Sequence, residues 1–267
     1  VKLMINGQEV TVKEGTSIMD AAEKVGIHIP HLCYLRGLNE IGACRVCVVE
    51  IKGMKKLVTA CNTACEEGME IFTNSPRVRS LRRINVELIL SDHNANCASC
   101  IKSGNCTLQS IANDMGIITN DYNNIAEKAR WDLNIPLIRD ASKCVKCMRC
   151  VQICEKVQDL GVWNLIGSGY RTTIGVRENN NINEIDCALC GQCITHCPVG
   201  ALRERDDRLT FNDAIADEDK VIIAQVAPAV RTAWGEQIGL KDKDATMGKL
   251  VCALKKIGVD YVFDTNY

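Results

Sequence analysis

Seventeen cysteines in 267 residues constrain this chain more than any other feature of its sequence. Two runs, CVKCMRCVQIC at 144–154 and CALCGQCITHCP at 187–198, repeat the spacing C-x2-C-x2-C-x3-C. In a small secreted chain such a count would predict a disulfide framework. Here 46% of the residues are hydrophobic, so an apolar core is available, and clustered Cys-x-x-Cys pairs favour metal binding over cross-linking. The pattern predicts a metal protein of a reducing compartment, and we expect a cytoplasmic location.

Charge and hydropathy give no sign of a nucleic-acid or membrane partner. Lys and Arg total 32 against 33 Asp and Glu, so the net charge is close to zero. The basic run RVRSLRR at 77–83 follows Ser75 and Pro76, which are typical of an N-cap and a first helical residue. We therefore interpret the run as the solvated face of a helix. No apolar stretch has the length of a membrane span, and no signal segment leads the chain.

The two long runs resemble the motif of bacterial two-cluster ferredoxins, in which the fourth cysteine of each half ligates the other cluster. Two departures from that motif leave the ligands intact: Glu155 stands where the motif has proline, and 32 residues (155–186) separate the halves. We expect this insert to form a hairpin or a partner-facing loop. The resemblance implies one 4Fe–4S cluster on Cys144, Cys147, Cys150 and Cys197, and a second on Cys154, Cys187, Cys190 and Cys193.

A first group near the N-terminus has the spacing C-x10-C-x2-C-x13-C, and its members are Cys33, Cys44, Cys47 and Cys61. Three thiolates on one loop and a distant fourth are typical of a 2Fe–2S site, although plant-type ferredoxins have a shorter first gap. The longer gap resembles the 2Fe–2S domain of iron-only (FeFe) hydrogenases and of the large iron–sulfur subunit of NADH:quinone oxidoreductase. Gly37 and Gly42 are expected to let the loop backbone approach the cluster.

The stretch HNANCASCIKSGNC at 93–106 supplies three thiols and one imidazole as H-x3-C-x2-C-x5-C. A lone histidine is usually a packing residue, but this spacing resembles the histidine-ligated 4Fe–4S site of the same two families. The resemblance assigns His93, Cys97, Cys100 and Cys106 to one cluster. The four sets use fifteen cysteines, which leaves Cys65 and Cys252. Structural zinc is the alternative, above all at the histidine site. His28 and His31 are expected to be structural, and His196 a weak tuner of a neighbouring cluster.

Local patterns predict an α+β, multidomain protein. They predict a hairpin turning at Asn6-Gly7, a helix capped by Thr16 or Ser17, strands around Gly53, and helices at 76–91 and 107–115. Regular structure is expected to be sparse between 144 and 197. The predicted domains are a β-grasp 2Fe–2S ferredoxin domain (1–77), a small helical His-ligated 4Fe–4S domain (78–138), a bacterial-type two-4Fe–4S ferredoxin domain (139–209), and the incomplete α/β opening of a catalytic domain (210–267).

The tail distinguishes the two families. QVAPAVRTAWGEQIGL (225–240) and MGKLVCALKKIGVDYVFDT (247–265) resemble the opening of the FeFe-hydrogenase catalytic domain, and they predict a β-α-α-β fragment with helices near 229–238 and 246–257. The respiratory subunit continues differently. After Pro198 the only cysteine is Cys252, expected at a core position of a helix. We therefore expect a segment of a longer polypeptide, whose hydrogen-activating di-iron site lies beyond Tyr267, and assign no catalytic residue here.

The resemblance implies an oxidoreductase, the electron relay of an FeFe hydrogenase subunit. Its expected partners are a flavin- and NAD-binding subunit and other iron–sulfur subunits of a complex. Some complexes that contain such hydrogenases are electron-bifurcating. Ferredoxin is a further candidate partner. No Gly-rich nucleotide loop occurs in the sequence, so NAD is expected to bind elsewhere. Two alternatives remain: an iron–sulfur subunit of an NADH- or formate-oxidising complex, and a non-catalytic electron-carrier module.

Overall fold

A computed structural model of the chain describes residues 1–123 and 131–265. The chain divides into two compact units, Val1–Arg205 and Asp206–Tyr267. Small sheets and short helices alternate along it, which confirms the predicted mixture of α and β structure in outline. Among the described residues, no helix combines the length and the apolar character that crossing a membrane requires.

The first part of unit 1 is a small mixed sheet with a helix packed against it. The hairpin turns at Asn6 and Gly7, whose φ angles of 48° and 83° are those of the predicted type I′ turn. Helix α1 (Ile18–Lys24) is capped by the Ser17 side chain and buries its apolar face. The strands are β1 (Lys2–Ile5), β2 (Gln8–Thr11), β3 (Val48–Ile51), β4 (Val58–Thr59) and β5 (Glu70–Phe72), in the order β2-β1-β5-β3-β4, with only β1 and β5 parallel.

Two helices follow the sheet and agree closely with the sequence pattern. Helix α2 (Pro76–Ser91) begins at a proline and is capped by Ser75, whose hydroxyl accepts the Val78 N–H at 3.3 Å. Helix α3 (Thr107–Asp114) begins directly after Cys106. The segment between the helices, with His93 and three cysteines, contains turns but no helix or strand.

The last part of unit 1 has more regular structure than predicted. Strands β6 (Leu137–Arg139) and β9 (Leu202–Glu204) pair antiparallel and tie together the two ends of this part. Between them lie α4 (Arg149–Lys156) and α5 (Gln192–Thr195), which carry cysteines of the two runs. The insert contains an antiparallel hairpin of β7 (Trp163–Ile166) and β8 (Thr173–Val176), one of the two forms expected for it.

Unit 2 contains the predicted β-α-α-β fragment, preceded by helix α6 (Arg208–Ile215), which the sequence analysis missed. Its two strands pair parallel, so the helices between them form a crossover connection. The first of these helices is shorter than predicted, and a separate 3-10 turn follows it at Glu236–Ile238. The elements are β10 (Ile223–Val226), α7 (Pro228–Ala233), α8 (Met247–Lys256) and β11 (Tyr261–Asp264).

Candidate metal centres

The first predicted group is brought together from two segments. Cys33, Cys44 and Cys47 lie on the long loop between α1 and β3, and Cys61 lies two residues after β4. The Ala60 N–H donates to the Cys47 carbonyl at 3.0 Å and so holds the second segment beside the first. All four cysteines are buried.

The four thiols of this group lie close enough to shift one another's pKa in opposite directions. Contacts with Cys44 and Cys61 lower the pKa of Cys33 to about 2, whereas the same contacts raise the pKa of Cys44 and of Cys61. Contact with Cys61 also lowers the pKa of Cys47. The Cys44 amide N–H reaches Cys33 Sγ at 3.5 Å. A buried set of this kind can ionise fully only against a cation, which matches the donor chemistry of a thiolate-bound iron centre.

The loop that carries three of these cysteines is closely packed at Gly42. Its φ angle is +64°, and a Cβ there would lie 3.0 Å from Asn62 Nδ2 and 3.1 Å from Thr59 Oγ1. A side chain at this position would therefore push the loop away from the segment that carries Cys61.

Two cavities in the last part of unit 1 are each lined by cysteines from both long runs. Cys150 and Cys154 are one turn apart on α4, yet they line different cavities. The Trp163 ring lines both cavities and stacks on Trp131 with ring centroids 5.9 Å apart. The first cavity contains Cys144, Cys147, Cys150 and Cys197; the second contains Cys154, Cys187, Cys190 and Cys193.

Burial dominates the electrostatics of these cavities. It raises the pKa of Cys147 and of Cys193 to about 12, and it raises the pKa of Cys144, Cys150 and Cys187 as well. Negative charge on a cysteine of the opposite run raises these pKa values further. Charge on Cys197 raises the pKa of Cys144 and Cys147 in the first cavity. Charge on Cys154 raises the pKa of Cys187 and Cys193 in the second cavity. Where burial raises the pKa in this way, the thiol is favoured without a metal, and a bound metal would stabilise the thiolate.

The histidine group lies on the segment between α2 and α3. His93 is buried, while Cys97, Cys100 and Cys106 are partly exposed. The Nδ1–H of His93 donates to the Lys143 carbonyl at 3.0 Å, because a carbonyl can only accept. This bond fixes the tautomer with the proton on Nδ1 and the lone pair on Nε2, and burial lowers the pKa of the ring, which favours its neutral form. The Sγ of Cys100 lies against Gly200, 2.6 Å from where a Cβ would stand.

The remaining cysteines and histidines differ in their surroundings. Cys65 is buried near α1, where its N–H donates to the Thr16 carbonyl, and burial raises the pKa of its thiol. Cys252 lies on α8 as expected, but it is exposed, so the expected core position is wrong. His31 donates through Nδ1 to the Ile29 carbonyl and packs edge-on against Tyr34. In the part of the chain that the structure describes, no three His, Cys, Asp or Glu side chains converge closely enough for a single metal ion.

Two buried side chains beside the predicted ligands were missed by the sequence analysis. Asn39 is fully buried, and its amide donates to the carbonyls of Cys33 and Cys147, each at 2.8 Å. Arg82 is only 6% exposed, so the solvated-face interpretation of 77–83 is wrong for this residue. A sequence signal existed, since Arg82 lies four residues from both Val78 and Val86, which are fully buried on the same face of α2.

Comparison with protein families finds a match to each part of the chain. Residues 1–76 match a 2Fe-2S iron-sulfur cluster binding domain, and residues 82–120 match the NADH-ubiquinone oxidoreductase-G iron-sulfur binding region. Residues 136–203 match the ferredoxin-like domain of NADH-quinone oxidoreductase subunit 3. Residues 220–267 match the C-terminal domain of the iron-only hydrogenase large subunit.

Comparison with individual proteins gives the same relationships. NADP-reducing hydrogenase subunit HndD of Solidesulfovibrio fructosivorans is 40% identical over 99% of this chain, and Iron hydrogenase 1 of Clostridium pasteurianum is 31% identical over 99%. The chain spans 46% of each, about half their length. The fold also matches one chain in the crystal structure of an NAD+-reducing [NiFe]-hydrogenase in the H2-reduced state, with a TM-score of 0.71 and 24% sequence identity. The match covers 76% of this chain and 87% of the hydrogenase chain.

The relatives that match nearly the whole chain are hydrogenase subunits, and the residues after 220 match a hydrogenase domain. The resemblance seen in the sequence is thereby confirmed: part by part, the chain is similar to the iron–sulfur modules and the first part of the C-terminal domain of iron-only hydrogenase large subunits, and its iron–sulfur modules are also similar to those of NADH:quinone oxidoreductase subunits.

Proposed function

We propose that the chain is the electron relay of an FeFe-hydrogenase-type subunit and that it binds one 2Fe–2S and three 4Fe–4S clusters. The observation that carries the proposal is the pair of cysteine-lined cavities, each drawing three cysteines from one run and a fourth from the other. This is the ligand exchange of two-cluster ferredoxins. The proposed modules keep the bounds 1–77, 78–138, 139–209 and 210–267.

The donor set fits iron–sulfur clusters better than zinc. A structural zinc site takes four donors at one tetrahedral ion, commonly from two separated Cys-x-x-Cys pairs. Here three thiols lie within seven residues and the fourth comes from a distant run, as in the cavity of Cys144 and Cys197.

In the proposed allocation, the 2Fe–2S cluster is held by Cys33, Cys44, Cys47 and Cys61, and one 4Fe–4S cluster by His93, Cys97, Cys100 and Cys106. The other two are held by Cys144, Cys147, Cys150 and Cys197, and by Cys154, Cys187, Cys190 and Cys193.

Iron–sulfur clusters, when bound, take up and release single electrons. The protein's own contribution is to bury the thiols, to keep water from most of them, and to direct N–H groups at their sulfurs, as the Cys44 amide does toward Cys33. Such N–H donors favour added negative charge and so tune potentials. Cys190 is the exposed member of its set, which makes its cavity the more accessible of the two.

We further propose that the full-length protein oxidises H2 or reduces protons at a di-iron site outside residues 1–267, since the residues after Cys197 include a single cysteine. One relative is named as a subunit of an NADP-reducing hydrogenase, which favours a nicotinamide-linked, flavin-containing partner subunit over free ferredoxin. A cytoplasmic location belongs to the same proposal.

The cluster assignment is tested by anaerobic purification followed by iron, sulfide and zinc analysis. We expect about 14 iron per chain, from 2 + 4 + 4 + 4. About 10 iron would mean that the His93 site is empty, and stoichiometric zinc would overturn the assignment at that site. A colourless protein without an EPR signal after reduction would contradict the proposal as a whole.

A second function is favoured by the family matches of residues 82–120 and 136–203, which are named for NADH oxidoreductase subunits. The chain would then be an iron–sulfur subunit of an NADH- or formate-oxidising complex. The two functions differ in one assay of the full-length complex. Hydrogen-dependent reduction of NAD or NADP supports a hydrogenase, whereas cluster reduction by NADH or formate without any hydrogen activity supports the second function.

A further inference from the structure

Arg82 is a buried cation whose contacts surround one proposed ligand. It projects from α2, beyond the end of the segment matched to the 2Fe–2S domain, and its side chain reaches back into that segment. Its Nε donates to the Val46 carbonyl and its Nη2 to the Val48 carbonyl, both at 2.9 Å. Because these two residues flank Cys47, the guanidinium lies against the backbone that presents Cys47.

The charge of Arg82 has no carboxylate partner among the described residues. Its third hydrogen bond, at 3.1 Å, also goes to a carbonyl, that of Thr73. Exposed arginines of the same helix do have such partners: Arg77 lies 3.5 Å from Glu50, and Arg83 lies 2.7 Å from Glu87. A buried, unpaired charge is costly, by several kcal/mol even after relaxation. Carbonyl dipoles reduce this cost but leave the net charge in place.

We propose that Arg82 compensates the negative charge of the four-thiolate site formed by Cys33, Cys44, Cys47 and Cys61 and thereby raises the potential of the 2Fe–2S cluster held there. The inference rests on the proposed function, because it requires that cluster. It makes Arg82 a positioning and charge-compensating residue that is not itself a ligand.

The charges of the cluster give the sign of the effect. Two ferric ions, two sulfides and four thiolates are together doubly negative, and one added electron makes the centre triply negative. A fixed positive charge stabilises the reduced form more than the oxidised form, and low polarity around a buried site strengthens this interaction. Arginine suits the task because it stays protonated when buried and holds its donors in a rigid fork. The electron comes from the external redox partner, and no proton transfer is required.

The test is an EPR-monitored redox titration of the anaerobically purified chain with Arg82→Gln and Arg82→Lys. Arg79→Gln is the matched control, because Arg79 lies on the same helix, is exposed, and has a guanidinium whose one hydrogen bond within the described part of the chain goes to the Asn74 carbonyl. All glutamine variants lose one positive charge, so the comparison separates a local effect from the change in net charge. We expect Arg82→Gln to lower the equilibrium constant for reduction of the 2Fe–2S cluster about tenfold, about 59 mV for one electron.

We expect Arg82→Lys and Arg79→Gln to leave the potential close to that of the unchanged protein. Loss of the 2Fe–2S signal in Arg82→Gln together with its retention in Arg82→Lys also supports charge compensation. Equal potentials in all variants, equal shifts in the lysine and glutamine variants, or loss of the cluster in the lysine variant would each overturn the inference. Failure of the proposed function is a different result, namely the absence of a 2Fe–2S signal from the unchanged protein.

Discussion

Asn39 connects two proposed cluster sites that lie more than a hundred residues apart in sequence. Its two amide hydrogens reach the carbonyls of Cys33 and Cys147, while its Oδ1 has no hydrogen-bond partner among the described residues. The reverse amide orientation would place Oδ1 against two carbonyl oxygens, so the donors determine the orientation. The Asn39 backbone is fixed by reciprocal hydrogen bonds with Leu35.

We expect Asn39→Leu to destabilise the packing of the first loop against α4. The change keeps the side-chain volume but leaves two buried carbonyls without these donors, which costs about 2–6 kcal/mol at roughly 1–3 kcal/mol each. Faster amide exchange over residues 33–39, measured by mass spectrometry, checks this. Lys156→Met is the control, since the exposed Lys156 donates to the Leu38 carbonyl across the same contact and its loss should change exchange little. Unchanged exchange in Asn39→Leu would show that the bridge contributes nothing.

A second prediction at the scale of single residues concerns the role of His93 as a cluster ligand. Replacing a neutral imidazole by a thiolate adds one negative charge to the cluster, so we expect His93→Cys to retain iron and to lower the potential of one 4Fe–4S centre. The measurement is a cluster-resolved EPR titration of the variant and the unchanged protein. His28→Cys serves as the control, because His28 is exposed and is assigned no ligand role. An identical potential in His93→Cys would remove His93 from the ligand set.

Residue identity and residue environment were unequally predictable from the sequence. Spacing predicted which cysteines form a set, because an inorganic cluster restricts how far apart its ligands can lie along a chain, and their role as ligands stays a prediction. The roles of Asn39 and Arg82 depend on carbonyls supplied by Cys147 and Val46, which are distant in sequence. Only the tertiary structure brings those partners into contact. A local pattern could indicate that Arg82 is buried, but it could not indicate what it contacts.

At the scale of secondary-structure elements, the sequence predicted the turns and helix caps that are stabilised by short-range interactions. The Asn6-Gly7 turn and the Ser75-Pro76 cap appear as predicted, because each is stabilised within a few residues. Strands β5, β6 and β9 were missed. Each is three residues long and is stabilised by a partner strand elsewhere in the chain, so its own sequence carries little periodicity.

Helix α4 supplies Cys150 to one cavity and Cys154 to the other, which yields a prediction about pairs of substitutions. If Cys147 and Cys197 hold one cluster, Cys147→Ser and Cys197→Ser should disrupt the same centre, and the double variant should retain about as much iron as either single variant. Combining Cys147→Ser with Cys154→Ser should instead disrupt two centres. Iron analysis and EPR spin counting measure both. Additive loss in the first pair would contradict the ligand exchange between the runs.

At the scale of the whole molecule, the cysteines do more than bind metal. Cys147, Cys150, Cys154, Cys193 and Cys197 are buried members of the same core as Trp163 and Val199. The first sheet has a core of its own, in which Leu3, Ile5 and Ile71 are almost fully buried. Because the last part of unit 1 has proposed ligands throughout its core, whereas β1 and β2 carry none, we expect its stability to depend on metal more strongly than that of the first sheet.

Iron removal tests that dependence. A site whose ligands are buried thiols gains binding free energy only in the folded state, so chelation under anaerobic, reducing conditions should lower stability where the ligands lie. We expect hydrogen exchange to rise most over residues 144–197, less over the loop from Cys33 to Cys61, and least in β1 and β2, which carry no ligand. Comparison of loaded and depleted protein by exchange and mass spectrometry measures the order. A uniform rise along the chain, or none over 144–197, would mean that packing and not the metal ligands holds this region together.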